Sequence, residues 1–326
     1  MKYMNKISLL IKKFFIRQNL KYYYYLNLKE KDYPNELKKL FKENTGKDLD
    51  LDNPKTFNEK LQWIKLYDNY PLKTILADKL AVRNWIEQQL GTGYLKNIYG
   101  SWNRFEDIDF NMLPDSFVLK TNHGCKMNYV VTDKNEFLAN DKEKAKKIFR
   151  KWLRTNFAFC GGFELQYQNI TPRVFAEELM QNRNNQNLED FEFFCFNGEP
   201  KLLMYSSYNN NEYKSSFYDE KLNKLPLKIF EDEETADLPP TENIGRLFKI
   251  SKKLSQNFKF VRVDFMRISQ SKNSLSDLKA DYNEKIVFSE MTFTPHSGYY
   301  HFIPEKYDYI IGNWLDIKTL QKENNS

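Results

Sequence analysis

Asp264 and Glu290 are carboxylates set inside segments that otherwise read as buried strands. Val261, Val263 and Phe265 alternate with Arg262, Asp264 and Met266. Val287, Ser289, Met291 and Phe293 alternate in turn with Phe288, Glu290 and Thr292. Both are the period-two pattern of a strand. A carboxylate moved out of water needs a partner, because an unpaired buried charge is strongly destabilising. Two kinds of partner are open. A metal ion shared between neighbouring strands would satisfy both groups. Alternatively, Asp264 pairs with Arg262 and Glu290 with a lysine, as salt bridges within a sheet. The polar stretch between the two runs, Ser269–Asn283, is long for a hairpin loop.

Other residues could handle anions. Lys120 closes the apolar run Phe117–Lys120, and the tight segment TNHGCK leads from it into Met127–Thr132. Gly124 lies in that turn, whose backbone amides beside Lys120 could cradle a phosphate; an ordinary hairpin fits the same residues. Lys79 falls at the start of a helix expected over Asp78–Leu90, with Gly91 as its stop. Exposed amides there favour anions, although most lysines at helix starts are simply solvated. Arg173–Leu179 reads as a strand ending in the adjacent carboxylates Glu177 and Glu178. No Ser/His/Asp or Cys/His constellation competes with these groups.

The elements that must position them fit a chain of 326 residues, 41% hydrophobic and 29% charged, long enough for a sizeable core in one to three domains. Cys125, Cys160 and Cys195 are an odd number without CxxC spacing, which argues for a reducing compartment and against a zinc site. No apolar run is long enough to span a bilayer, and Lys12 and Lys13 interrupt the N-terminal apolar stretch, which disfavours a signal peptide. The net charge of +6 is carried by residues 1–50, which hold twelve Lys/Arg against six Asp/Glu. The balanced remainder speaks against a nucleic-acid groove. Residues 1–28 read as a basic, aromatic helix that either lies on an anionic membrane surface or packs on its own domain.

Thr56 and Glu59 form a capping box for a helix to about Tyr67, with Phe57, Leu61 and Ile64 inward. A further helix is expected over Asp141–Arg154. Asn197–Gly198 is a hairpin signal, and an amphipathic helix over 242–256 leads into the carboxylate-bearing strands. Strands and helices together give an α+β pattern.

Five segments in order, ADK (77–79), VLKTNHG (118–124), AEEL (176–179), RVDF (262–265) and SEMTFTP (289–295), resemble the parts of ATP-grasp enzymes. NPKTFNEKLQW (53–63), LADKLAVR (76–83), LPDSFVLKTNHG (113–124), FFCFNGEPK (193–201) and FVRVDF (260–265) further resemble the TupA-like ATP-grasp family, the teichuronopeptide-biosynthesis group of capsule and lipopolysaccharide gene clusters. Coverage runs from about residue 50 to 317. The resemblance implies an ATP-grasp fold: a helical lead-in (51–95), an N-terminal subdomain (96–178) and a C-terminal subdomain with the metal hairpin (179–326), preceded by the basic aromatic helical segment (1–50) that lies outside the resemblance.

It also implies ATP and Mg²⁺ as cofactors. Lys79 and Lys120 would contact ATP phosphates. Glu177, Glu178 and Met180 would form the adenine hinge, and Asp190 would receive the ribose hydroxyls. Arg262 would stand beside the transferred phosphoryl group, with Lys120 assisting. Asp264, Glu290 and Thr292 would hold the metal, Thr292 replacing the family's Asn. In the following turn His296 replaces a glycine of the family's Thr-Pro-Gly-Ser-Gly. The implied activity is ADP-forming carboxylate–amine ligation through an acyl phosphate, with saccharide-linked substrates, in the cytoplasm; the basic charge of residues 1–29, outside the resemblance, adds a contact to the inner face of the membrane as an expectation. Two rivals are a glycosyltransferase, for which Asp48–Asp50 spells DLD, and a non-catalytic ATP-binding scaffold.

Overall fold

The computed structural model describes residues 20–180, 187–209, 212–231, 234–238, 243–269 and 285–318. Most of the expected basic helix and the linker between the two carboxylate strands lie outside the described residues.

Helix α1 (Tyr33–Thr45) ends at Gly46, whose φ of 73° supplies the left-handed cap, a conformation that costs glycine nothing. Helix α2 (Phe57–Tyr67) begins with the expected capping box, both hydrogen bonds present. The single helix expected over Asp78–Leu90 is instead preceded by α3 (Pro71–Ala77) and begins only at Val82, as α4 (Val82–Leu90). Asp78 is extended, and its Oδ1 accepts from Leu80 N (2.8 Å) and Ala81 N (3.2 Å). Such side-chain capture of nearby amides offers the backbone an alternative to helix. Lys79 therefore sits in the turn between two helices.

Strands β1 (Ile98–Trp102), β2 (Phe117–Thr121), β3 (Asn128–Val131) and β4 (Val174–Glu177) form an antiparallel sheet in the order β1-β4-β2-β3. Helix α5 (Lys142–Trp152) starts and stops slightly inside the expected range. Its Ala145 and Phe149 pack with Phe117, Leu119, Val174 and Ala176 on one sheet face. Alternation sends Lys120 and Glu177 to the other face.

The second sheet comprises β5 (Asn187–Phe196), β6 (Glu199–Asn209), β7 (Glu212–Asp219), β8 (Lys224–Leu225), β9 (Phe260–Ser269) and β10 (Lys285–Thr292). Their antiparallel order is β10-β9-β5-β6-β7-β8. Asn197 and Gly198, both at positive φ, make the expected β5–β6 turn. Helix α6 (Ile244–Ser255) covers the face carrying Phe191, Phe193, Val261, Val263 and Phe265. The opposite face is divided along its length. At one end Phe194, Phe196 and Phe260 lie under α2 and the C-terminal helix α7 (Lys306–Trp314), and at the other it carries Glu192 and Asp264.

The alternation expected for β9 is observed; that expected for β10 is not. The register shifts between Phe288, opposite Phe265, and Glu290, opposite Asp264. Ser289 is the extra residue of a β-bulge. Phe288 consequently joins Met291 in the core under α6, while Glu290 lies beside Asp264.

Candidate active site

Three carboxylates lie in a row across three adjacent strands: Glu192 on β5, Asp264 on β9 and Glu290 on β10 are mutual register partners. Directly opposed like charges repel, so the row requires cations. Arg262, one pleat along β9, supplies the main one. Its guanidinium grips Asp264 in a fork, Nε to Oδ1 at 2.8 Å and Nη2 to Oδ2 at 2.6 Å. It also reaches Glu192 at 2.9 Å and Glu290 at 3.8 Å. Lys79 contributes the second, 3.4 Å from Glu290. Of the two partners the sequence left open, the structure displays the salt bridges.

The charges bear the mark of this crowding. Burial pushes the Asp264 carboxyl up, with Glu192 and Glu290 adding to the effect and Arg262 opposing it. Burial likewise raises Glu192, against Arg262. Asp190, on the same face as Glu192, is pushed up to about 6 by burial and by Asp264. Glu290 differs: burial acts upward, but Lys79 and Arg262 outweigh it and hold the carboxyl down to about 2.

The other wall is built by the first sheet. Lys120 and Lys96 converge on Glu177 Oε1, at 2.6 and 2.9 Å. Both cations hold Glu177 below its ordinary range despite burial, and burial together with Lys96 lowers Lys120. A narrow cleft lined by Lys79, Lys96, Lys120, Glu177 and Glu290 separates the two walls. Glu178 points elsewhere, accepting from Asn97 N at 3.2 Å, and Met180 is buried.

The turn after β2 is held from several sides. Lys79 N donates to Asn122 O (3.1 Å) and Lys79 Nζ to Gly124 O (2.8 Å). Asn122 N is already spent on Arg173 O (3.1 Å), so any anion cradle begins after it. At Gly124 a Cβ would fall 2.7 Å from Met127 Sδ and 2.9 Å from Phe157. The glycine serves close packing, without a positive φ.

A second turn, Pro295–Gly298, closes the site. His296 and Ser297 have φ of 49° and 52°, a region costly for residues with a Cβ. The turn is bolted from beneath: Lys65 Nζ donates to Ser297 O (2.7 Å) and Oγ (2.9 Å), and Gln62 Nε2 to Gly298 O (2.7 Å). Thr294 Oγ1 donates to the buried Glu164 at 2.5 Å. The His296 ring lies on Tyr300 with centroids 4.5 Å apart. Burial and the nearby Arg262 hold the imidazole down to about 4, hence neutral.

Sequence reasoning missed Glu192, Lys96 and the Lys65–Glu164 support. Glu192 alternates with Phe191 and Phe193, the signal that exposed Asp264.

Hard oxygen donors in a desolvated row fit Mg²⁺, which takes one or two carboxylates and completes its octahedron with phosphate oxygens and water. Among the described residues no three acidic, histidine or cysteine side chains form a metal cage by themselves. Thr292 Oγ1 donates to Glu290 Oε1 at 3.2 Å and so orients that carboxylate.

No curated protein matches this chain. Among solved structures it is similar to the ATP-grasp ligase PsnB complexed with minimal precursor (10% identity, TM-score 0.34, covering 72% of this chain and 58% of that one). PsnB complexed with minimal precursor, Mg and ADP gives 8% identity, a TM-score of 0.36 and 72% and 57% coverage. An L-amino acid ligase from Bacillus licheniformis gives 13% identity, a TM-score of 0.42 and 81% and 56% coverage. The chain thus spans less than two thirds of the length of these proteins. The TupA-like ATPgrasp family matches residues 59–316, a stretch holding both sheets and every residue of the cleft: the chain belongs to that family and has the α+β ATP-grasp fold.

Proposed function

We propose that the chain is an ATP-dependent, ADP-forming carboxylate–amine ligase. The observation that carries this is the row Glu192–Asp264–Glu290, held by Arg262 and Lys79 and facing Lys96, Lys120 and Glu177 across a narrow cleft. Such a site offers fixed charges of both signs, which suits transfer of a phosphoryl group by electrostatic stabilisation.

In the proposed reaction a substrate carboxylate oxygen attacks the γ-phosphorus of ATP, and the bond to the β-phosphate oxygen breaks, giving an acyl phosphate and ADP. An amine then attacks the acyl carbon and inorganic phosphate leaves. Lys79 and Lys120 would hold phosphate oxygens, and Glu177, Glu178 and Met180 would form the adenine hinge. Glu177 anchors Lys120 and Lys96 in this arrangement. Asp190 stands on the acidic face, to receive the ribose. Asp264 and Glu290 would hold Mg²⁺, with Thr292 steering Glu290. The metal would neutralise the phosphates. Arg262 keeps the carboxylates compensated in the free protein, and its fork is placed to stabilise charge developing on the transferred group.

By family analogy alone the substrates are saccharide-linked and the role lies in cell-surface polysaccharide synthesis. The glycosyltransferase alternative gains nothing from Asp48–Asp50. Asp48 pairs with Lys42 at 2.8 Å, and Asp50 Oδ1 accepts from Asp52 N and Asn53 N, both at 3.0 Å. These contacts shape a loop.

Incubation with Mg-ATP and pairs of uronic acids, amino acids and amines should release ADP and phosphate in step with amide formation. AMP and pyrophosphate as stoichiometric products would rule the mechanism out.

A further inference from the structure

A cleft of about 890 Å³ opens between residues 20–26, α1 and the C-terminal half of α5, and runs inward to Gly161 and Ser297. Its size lies within the range of small-molecule sites. Tyr22, Tyr23 and Tyr25 line one side. On the other stand Lys147, Lys151 and Arg154, whose spacing of four and then three residues keeps them on one side of the chain, away from the core-facing Ala145 and Phe149. Lys21 is paired with Glu43 and Arg150 with Glu106. Lys147, Lys151 and Arg154 are in no ion pair among the described residues.

The inner end is lined by Ser297, on the same Pro295–Gly298 turn as His296. Ser297 is the neighbour of His296 and is bolted to Gly161, whose O accepts from Ser297 Oγ at 3.1 Å. A substrate whose reacting end lies at the Pro295–Gly298 turn would trail its remainder into this cleft. Every lining residue lies on a helix, turn or loop, so no strand edge is offered to pair with a peptide backbone, the usual means of holding extended peptides. The walls offer instead aromatic faces with hydroxyl handles and a line of cations.

We propose that this cleft binds an acidic saccharide chain, its carboxylates along Lys147, Lys151 and Arg154 and its rings against the tyrosines. Calling that chain the non-reacting part of the carboxylate substrate rests on the ligase reading above. Remote binding of this kind supplies energy that positions the reacting end.

The test is calorimetric titration of the intact protein, without nucleotide, using an oligogalacturonate, a neutral malto-oligosaccharide of matched length and an oligoglutamate. The oligogalacturonate should bind best. The triple variant Lys147→Gln/Lys151→Gln/Arg154→Gln should weaken it by about tenfold or more. Lys144→Gln/Lys146→Gln, which removes charge elsewhere on α5, should stay within about twofold. Tyr23→Ala, at an exposed ring that carries no core, should also weaken it. Equal binding of the neutral sugar, tighter binding of oligoglutamate, or an unchanged triple variant that is folded by circular dichroism would overturn the proposal. ADP release is scored separately. Binding without turnover retains the cleft and removes the ligase reading, whereas turnover with unchanged binding by the triple variant does the reverse.

Discussion

Arg262 shows how one residue can hold a row of like charges together. Three carboxylates share its guanidinium, and Lys79 meets the outermost. Glu290 is the carboxylate held most firmly in its charged form, which suits a metal ligand. Glu290→Gln keeps the shape but removes the charge, so turnover should fall by about 10²-fold or more while ATP affinity by calorimetry changes little. Thr292→Val removes only a steering hydrogen bond and should cost a few-fold at most. Near-wild-type turnover of Glu290→Gln at limiting Mg²⁺ would make Glu290 structural. Asp264 was legible because it interrupts an apolar strand, and Glu192 stands in the same kind of pattern. Lys96 was not legible, since a lysine in the loop between α4 and β1 looks solvated until the fold brings Glu177 to it. Lys65 sits one turn after Leu61 on the buried side of α2, where a lysine gives no sign of being fully enclosed.

At the scale of elements, the Pro295–Gly298 turn depends on that lysine. Burial lowers the Lys65 ammonium to about 8, below the 10.5 of an unfolded chain. Between these values the unfolded state binds more protons, so the residue's contribution to stability rises with pH across about 8 to 10.5 and its burial penalty is complete below that window. Comparing wild type with Lys65→Met by urea unfolding at several pH values should isolate a term that grows in favour of wild type by up to about 3 kcal/mol. A difference flat with pH would show Lys65 to be equally protonated in both states. The strained turn was legible in outline, from its Thr-Pro and Ser-Gly. Its support was not, because Lys65, Gln62 and Glu164 come from distant segments and meet only after packing. The helix expected from Asp78 failed for a local reason: Asp78 captures the amides of Leu80 and Ala81.

Across the whole molecule, both sheets lay their charged faces toward one cleft and bury the others under α5 and α6. The class of fold was legible from the order of strands and helices. The clamp that closes it was not: α7 returns to the start of α2, where Asn58 N donates to Asp308 Oδ1 (3.0 Å) and Lys60 Nζ donates to Gly312 O (2.8 Å) and Leu315 O (2.7 Å). Gly312 permits the approach, since a Cβ there would lie 2.4 Å from Lys55 O and 2.7 Å from Phe57 N. Gly312→Ala should therefore destabilise by about 1–2 kcal/mol, the clash exceeding the gain in helix propensity. A lower urea midpoint at unchanged slope would register it. A higher midpoint, as for an exposed helical glycine, would contradict the packing.

The extra residue at Ser289 has a bearing on any attempt to transplant this hairpin. Because of it, β10 serves two tenants in succession, giving Phe288 to the interior and Glu290 to the cleft, although two residues apart they would ordinarily share a side. A graft copied by counting every second position would send both residues to one side, putting either the carboxylate in the hydrophobic interior or the phenylalanine in the cleft. The portable unit is therefore the pair of strands together with their irregularity, and the irregularity is the part a sequence comparison would first discard as a gap.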